Sequence, residues 1–108
     1  MEININCDLG EKSKFHSNKH DPDLLGIVNS ANVACGYHAG DEETMNRVVT
    51  ISKKNGVSIG AHPSFNDPEN FGRERMNLPS SEIKKLIFDQ YDILQKISVQ
   101  HGRNVTHI

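Results

Sequence analysis

With 108 residues the chain has room for one small domain and one core, and its 12 Lys and Arg against 14 Asp and Glu leave a formal net charge of −2. The basic residues are scattered, with Lys53-Lys54 and Lys84-Lys85 as doublets, which excludes the clustered cationic face that nucleic acid requires. No apolar run approaches the roughly 20 residues that cross a bilayer, and Met-Glu-Ile-Asn-Ile-Asn has no signal pattern, so the expectation is a cytoplasmic protein with no membrane partner.

Glu2 to Cys7 alternates, with Ile3 and Ile5 on one side and Asn4, Asn6 and then Asp8 on the other, and predicts a first strand. Asp8-Leu9-Gly10-Glu11 sets two carboxylates around a glycine at its end. Lys12 to Asp21 has no periodicity and predicts a loop, in which His16 and His20 are surface residues. Asp21-Pro22-Asp23 opens a short helix whose apolar face is Leu24, Leu25, Ile27 and Val28.

Ala31 to Cys35 predicts the second strand. It stops at Gly36, and His38 follows between Gly36 and Gly40. Taken alone, His38 reads as a loop residue. A helix over 41–55 starts at Asp41, shows one face through Met45, Val48, Val49 and Ser52, carries Lys53 and Lys54 in its last turn, and ends at Gly56. Val57 to Ala61 is a short apolar third strand running into Gly60-Ala61-His62-Pro63. Ser64 to Asn77, with Pro68, Gly72 and Arg73-Glu74-Arg75, is a loop long enough to favour a binding role. Ser80 or Ser81 caps the last helix, with Ile83, Leu86, Ile87, Tyr91, Leu94 and Ile97 as a core stripe. Gly102 ends it, and Asn104 to Ile108 begins a fourth strand. Cys7 and Cys35 are expected as reduced packing residues, and the absence of a CxxC pair argues against structural zinc.

The order β-α-β-α-β-α-β predicts a parallel sheet with right-handed crossovers. Parallel strands end on one rim. Asp8 and Glu11, His38, and His62 follow three successive strands and should therefore meet there, although they lie far apart in sequence.

Asn6-Cys7-Asp8-Leu9-Gly10-Glu11, Ser30 to Asp41, Ile59-Gly60-Ala61-His62-Pro63-Ser64 and Phe71-Gly72-Arg73, in that order and spacing, closely resemble the LamB/YcsF family. The family's characterised role is as the A component of the bacterial ATP-dependent 5-oxoprolinase. The resemblance implies a parallel-stranded (β/α) barrel of the glycoside hydrolase/deacetylase type. Residues 1–108 would be a single domain of that kind, truncated on its C-terminal side, since in the family the strand ending Thr106-His107-Ile108 runs on into Lys-Pro-His-Gly. It implies opening of the lactam of 5-oxoproline to L-glutamate, ATP as co-substrate, and subunits B and C as partners. On this reading Asp8, His38 and His62 are the catalytic candidates, and Asn6, Glu11, Asn32 and Arg73 bind substrate. No Gly-rich Lys-Ser/Thr phosphate loop is present. Two other readings stand beside it. Asp8, His38 and His62 could hold a divalent metal in a deacetylase-like hydrolase. The chain could also be an inactive remnant or interaction module, its open parallel edge and uncovered apolar faces favouring association.

Overall fold

The computed structural model describes residues 1–108 as an α/β fold around one four-stranded sheet. Its elements are β1 (Asn6–Leu9), α1 (Asp21–Leu25), β2 (Ser30–Ala34), α2 (Glu42–Asn55), β3 (Ser58–His62), α3 (Ser80–Gln100) and β4 (Val105–His107), with a single 3-10 turn at Pro68–Asn70. All neighbouring strands pair parallel in the order β1-β2-β3-β4.

Side chains alternate across the sheet because the strand period is two. Cys7 and Leu9, Ala31 and Val33, and Ile59 and Ala61 share one face through their register. That face packs with Met45, Val48 and Val49 of α2 and with Leu94 and Ile97 of α3 into one core. The other face carries Asn6, Asp8, Ser30, Asn32 and Gly60, and it is open. A parallel sheet with helices on one face and polar side chains on the other is the arrangement expected of part of a (β/α) barrel.

Several expectations shift in detail. The first strand lies at Asn6–Leu9, later than the alternation suggests, because pairing with β2 begins only at Asn6 and Ser30. Ile5 is tied to the chain before β2, its N–H donating to Asn29 Oδ1 and its carbonyl accepting from the Asn29 and Ser30 N–H groups. Ile3 and Ile5 therefore stay exposed. α1 is one turn long and stops at Gly26, which leaves Ile27 in solvent rather than on the apolar face. No serine caps α3. Its first residue is Ser80, Pro79 precedes it, and the Pro79 carbonyl accepts from Glu82 and Ile83. The predicted stripe of α3 divides: Leu94 and Ile97 are buried, Leu86 and Tyr91 half-buried, and Ile83 and Ile87 exposed.

Candidate functional site

The three loops that leave β1, β2 and β3 fold over the same end of the sheet. Asp21 accepts a hydrogen bond from Gly10 N–H at 2.9 Å and fixes the first of them; burial raises its carboxyl pKa while that bond opposes the rise. The second loop closes on itself through Gly36 N–H to the Ala39 carbonyl, which puts His38 into the interior. The third is clamped by Gln90 of α3, buried to 0% exposure. Its Oε1 accepts from Ser64 N–H at 2.9 Å and its Nε2 donates to the Ser64 carbonyl at 2.7 Å. A backbone segment with no strand partner of its own is thus satisfied by one side chain.

Glu11, His38 and His62 converge there. One ligand-type atom from each lies within 4.8 Å of the other two. Glu11 Oε1 is 3.4 Å from His38 Nε2 and 3.3 Å from His62 Nδ1, and Asp8 Oδ1 is 3.6 Å from the same His62 atom. The imidazoles sit 4.9 Å apart, centroid to centroid. His38 is only 3% exposed. Burial holds its pKa below the ordinary imidazole value against the hydrogen bond to Glu11, with His62 and Arg73 adding to the depression. His38 is therefore a neutral ring near pH 7, with Nε2 facing Glu11 and Nδ1 buried without a partner. His62 Nδ1 is likewise buried and lacks hydrogen-bond alignment to either carboxylate. His62 Nδ1, which has no partner, and His38 Nε2 thus flank the Glu11 carboxylate, a set suited to a bound ligand.

The set differs from the expected one in its acid. The expectation pairs Asp8 with the two histidines and leaves Glu11 to bind substrate; the structure puts Glu11 between the rings and Asp8 at their edge. The left-handed turn at Gly10 carries Glu11 inward, whereas Asp8 leaves β1 on the open face. Asp8 Oδ1 instead accepts from Asn32 Nδ2 at 3.2 Å, and the same nitrogen donates to Asn6 Oδ1 at 3.0 Å. Asn6, Asn32 and Asp8 thus form one network beside the histidines. Arg73 is exposed and contributes only its field. His16 and His20 are exposed, as expected, and no disulfide joins Cys7 to Cys35. Burial pushes the Cys35 thiol up to about 11, so it is no nucleophile.

Phe71 completes the site: its place in the Phe71-Gly72-Arg73 motif is legible in the sequence, its contact with His38 is not. Its ring packs edge-on to His38 at 5.0 Å and against His16 at 4.7 Å. It is the one non-glycine residue at positive φ, 56°, a conformation that disfavours L residues. Gly72 follows at φ 69°, where a Cβ would lie 1.9 Å from Ser64 Oγ and 3.0 Å from His38 Cβ. An aromatic residue directly before a glycine in a long loop is the available signal. A cleft of about 250 Å³ lined by Asp8, Asn32, Ala61, His62, Pro63 and Ile108 opens beside the cluster. A larger one, about 380 Å³ between Asn66, Met76, Leu78 and the start of α3, holds none of these groups.

The LamB/YcsF family model matches residues 3–108. The chain is 44% identical over 109 aligned positions to a protein of Nitrobacter hamburgensis named as the A subunit of 5-oxoprolinase, covering 100% of this chain and 43% of that one. A protein of Staphylococcus carnosus with the same name is 41% identical over 108 residues, with the same coverage. Among solved structures, the lactam utilization protein from Thermus thermophilus superposes with a TM-score of 0.92 at 34% identity, over 99% of this chain and 43% of that chain. The chain thus spans 43% of the length of these relatives.

Proposed function

This chain belongs to the LamB/YcsF family, and from that premise we propose that it carries rim residues of a 5-oxoprolinase component, which with subunits B and C opens the lactam of 5-oxoproline to L-glutamate at the expense of ATP. The observation that carries the reading is the convergence of Glu11, His38 and His62 in a chain at least 41% identical to proteins named as the A subunit of 5-oxoprolinase.

A lactam amide resists water at neutral pH. Transfer of the γ-phosphoryl group of ATP to the carbonyl oxygen, with release of ADP, makes the carbon electrophilic. Water adds, giving its proton to a base. The ring C–N bond then breaks as the nitrogen gains a proton, leaving an acyl phosphate that a second water hydrolyses to L-glutamate and phosphate. In this scheme His62 is the base. The carboxylates of Glu11 and Asp8 beside Nδ1 favour the proton there, which leaves Nε2 as acceptor. His38, neutral, donates Nε2–H to Glu11 and holds it. Asn6 and Asn32 offer neutral groups to the amide, and Arg73 offers a partner for the substrate carboxylate.

The test is co-production with subunits B and C and measurement of L-glutamate from 5-oxoproline with and without ATP. ATP-dependent release is expected, with losses of about 100-fold or more in Glu11→Gln and His62→Ala. No release from the full assembly, or undiminished turnover in both variants, would overturn the reading.

The proximity of three ligand atoms favours a second reading, a divalent-metal hydrolase held by Glu11, His38 and His62 in place of the expected Asp8, His38 and His62. Separations of 3.3 and 3.4 Å between ligand atoms suit metal–ligand bonds of about 2.0–2.2 Å. A metal there would act as a Lewis acid and lower the pKa of a bound water. Stoichiometric Zn²⁺ or Co²⁺ binding that disappears in Glu11→Ala, His38→Ala and His62→Ala favours it, and ATP-dependent turnover without bound metal rejects it.

A further inference from the structure

β4 enters the sheet out of step. Val105 pairs with Ile59, but the next pair is His107 with Gly60, so Thr106 is passed over. In regular register Thr106 would face Gly60, and His107 would share the buried face with Val105. The slip turns His107 onto the open polar face, since one residue of shift exchanges the faces of a strand. There it completes a row that crosses all four strands: Asp8, Asn32, Gly60, His107.

Gly60 is the gap in that row that makes contact across it possible. A Cβ at Gly60 would lie 2.1 Å from His107 Nε2, so the imidazole occupies the space a side chain would take. His107 Nε2 reaches Asn32 Oδ1 at 3.3 Å, and its Nδ1 is 2.8 Å from Thr106 Oγ1. Asn32 Nδ2 serves Asn6 Oδ1 and Asp8 Oδ1. From Asp8 through Asn32 to His107 Nε2, each proton has one consistent placement. The Asp8 carboxylate only accepts, so it must face the Asn32 amine side. Asn32 then presents its oxygen to β4, and His107 must donate Nε2–H; the Thr106 hydroxyl has two acceptors within reach, the Ile59 carbonyl at 3.3 Å and His107 Nδ1 at 2.8 Å.

We propose that His107 is a positioning residue of the rim site: through Asn32 it holds the Asp8 carboxylate beside His62, a role for which the slip in β4 and the missing side chain at Gly60 are both required. The strength of the catalytic consequence rests on the function proposed above; the hydrogen-bond chain itself does not.

The experiment has two arms. Side-chain ¹⁵N spectra of the full chain, recorded where His107 is neutral, should show the Nε2–H tautomer. Asp8→Ala leaves Asn32 Nδ2 with only Asn6 Oδ1, whose own amide can reverse, so His107 should become a mixture of tautomers. An Nδ1–H ring in the unaltered chain, or a tautomer unmoved by Asp8→Ala, would overturn the relay. If Asp8→Ala fails to fold, Gly60→Ala serves instead, since it must eject the ring and change the Asn32 side-chain amide resonances. In the assembled enzyme His107→Ala should lower kcat about 10-fold with KM little changed, and His107→Gln, which keeps an N–H donor, should restore much of it. An intact relay with unchanged kcat in His107→Ala would overturn the positioning role, while an assembly without any turnover counts against the proposed function and leaves the spectra to decide the relay.

Discussion

α2 and α3 pack side by side on the same face of the sheet, yet only α2 is capped by a side chain and buried along most of its length. α2 has 14 residues and is finished at both ends: Asp41 accepts from Thr44 N–H at 2.7 Å, and Gly56, at φ 68°, returns its N–H to the carbonyls of Ser52 and Lys53. Its buried residues, Thr44, Met45, Val48, Val49 and Ser52, run most of its length. α3 has 21 residues and no side-chain cap, and its buried residues, Gln90, Leu94, Ile97 and Ser98, all lie in the second half. The first half shows Ile83 and Ile87 at 38% exposure and Phe88 at 56%. Periodicity reports that a helix has an apolar face. What covers the face depends on neighbours that the helix does not encode.

The sharpest test sets the two halves of α3 against each other. Leu94, at 0% exposure in the core, should cost about 2–5 kcal/mol when changed to alanine. Ile83→Ala removes the same kind of group from the uncovered half and should cost much less, within about 0.5–1 kcal/mol. Urea unfolding of both variants measures the difference. Equal losses would mean that the first half of α3 is covered after all.

The next effect belongs to α2 and its cap. Asp41→Ala should destabilise the chain by about 1 kcal/mol. The hydrogen bonds from Thr44 hold the Asp41 carboxyl below its ordinary value. A depressed folded-state pKa contributes stability that is fully present above the unfolded value of about 3.9 and is lost as pH falls through the lower folded one. The gap between the unaltered chain and Asp41→Ala should therefore be constant near neutrality and close in acid. Thermal unfolding from pH 7 downward follows it, and a gap that widens in acid would contradict the assignment. No equivalent substitution exists for α3, because its N-terminus has no side-chain cap to remove.

The contrast also explains what can be read from sequence. Order, parallel pairing and the shared rim follow from three successive strands with Asp8 and Glu11, His38, and His62 at or after their ends, since topology alone brings those ends together. α2 is legible to its boundaries because its signals are local. Glu11 is legible as a site residue but not as the acid between the histidines, because its place depends on the turn at Gly10 and on the bond from Gly10 to Asp21. The rule that singles out His38 and His62, a titratable group at a strand end, applies equally to His107. Its aim does not follow from that rule, because a register slip leaves no mark in composition. Periodicity overstates the burial of α3 for the same reason that makes the helix informative: Ile83 and Ile87 have the right spacing, yet they line an open cleft and stay 38% exposed.

The smallest effect on folding should accompany a large one on association. Ile87 and Phe88 are partly open to water, at 38% and 56%, so Ile87→Lys with Phe88→Lys gives up little buried surface, and stability should stay within about 1 kcal/mol of the unaltered chain. Their exposed apolar surface adds to that of Ile83 and to a cleft of about 340 Å³ lined by Phe65, Ile83, Leu86 and Ile87. Contiguous apolar surface of this kind drives contact between molecules. The unaltered 108-residue chain should self-associate in sedimentation velocity, and the double lysine variant should run as a monomer at the same concentration. A stable monomer before substitution would show that the first half of α3 is solvated at no cost, and the two helices would then differ only in how they are capped.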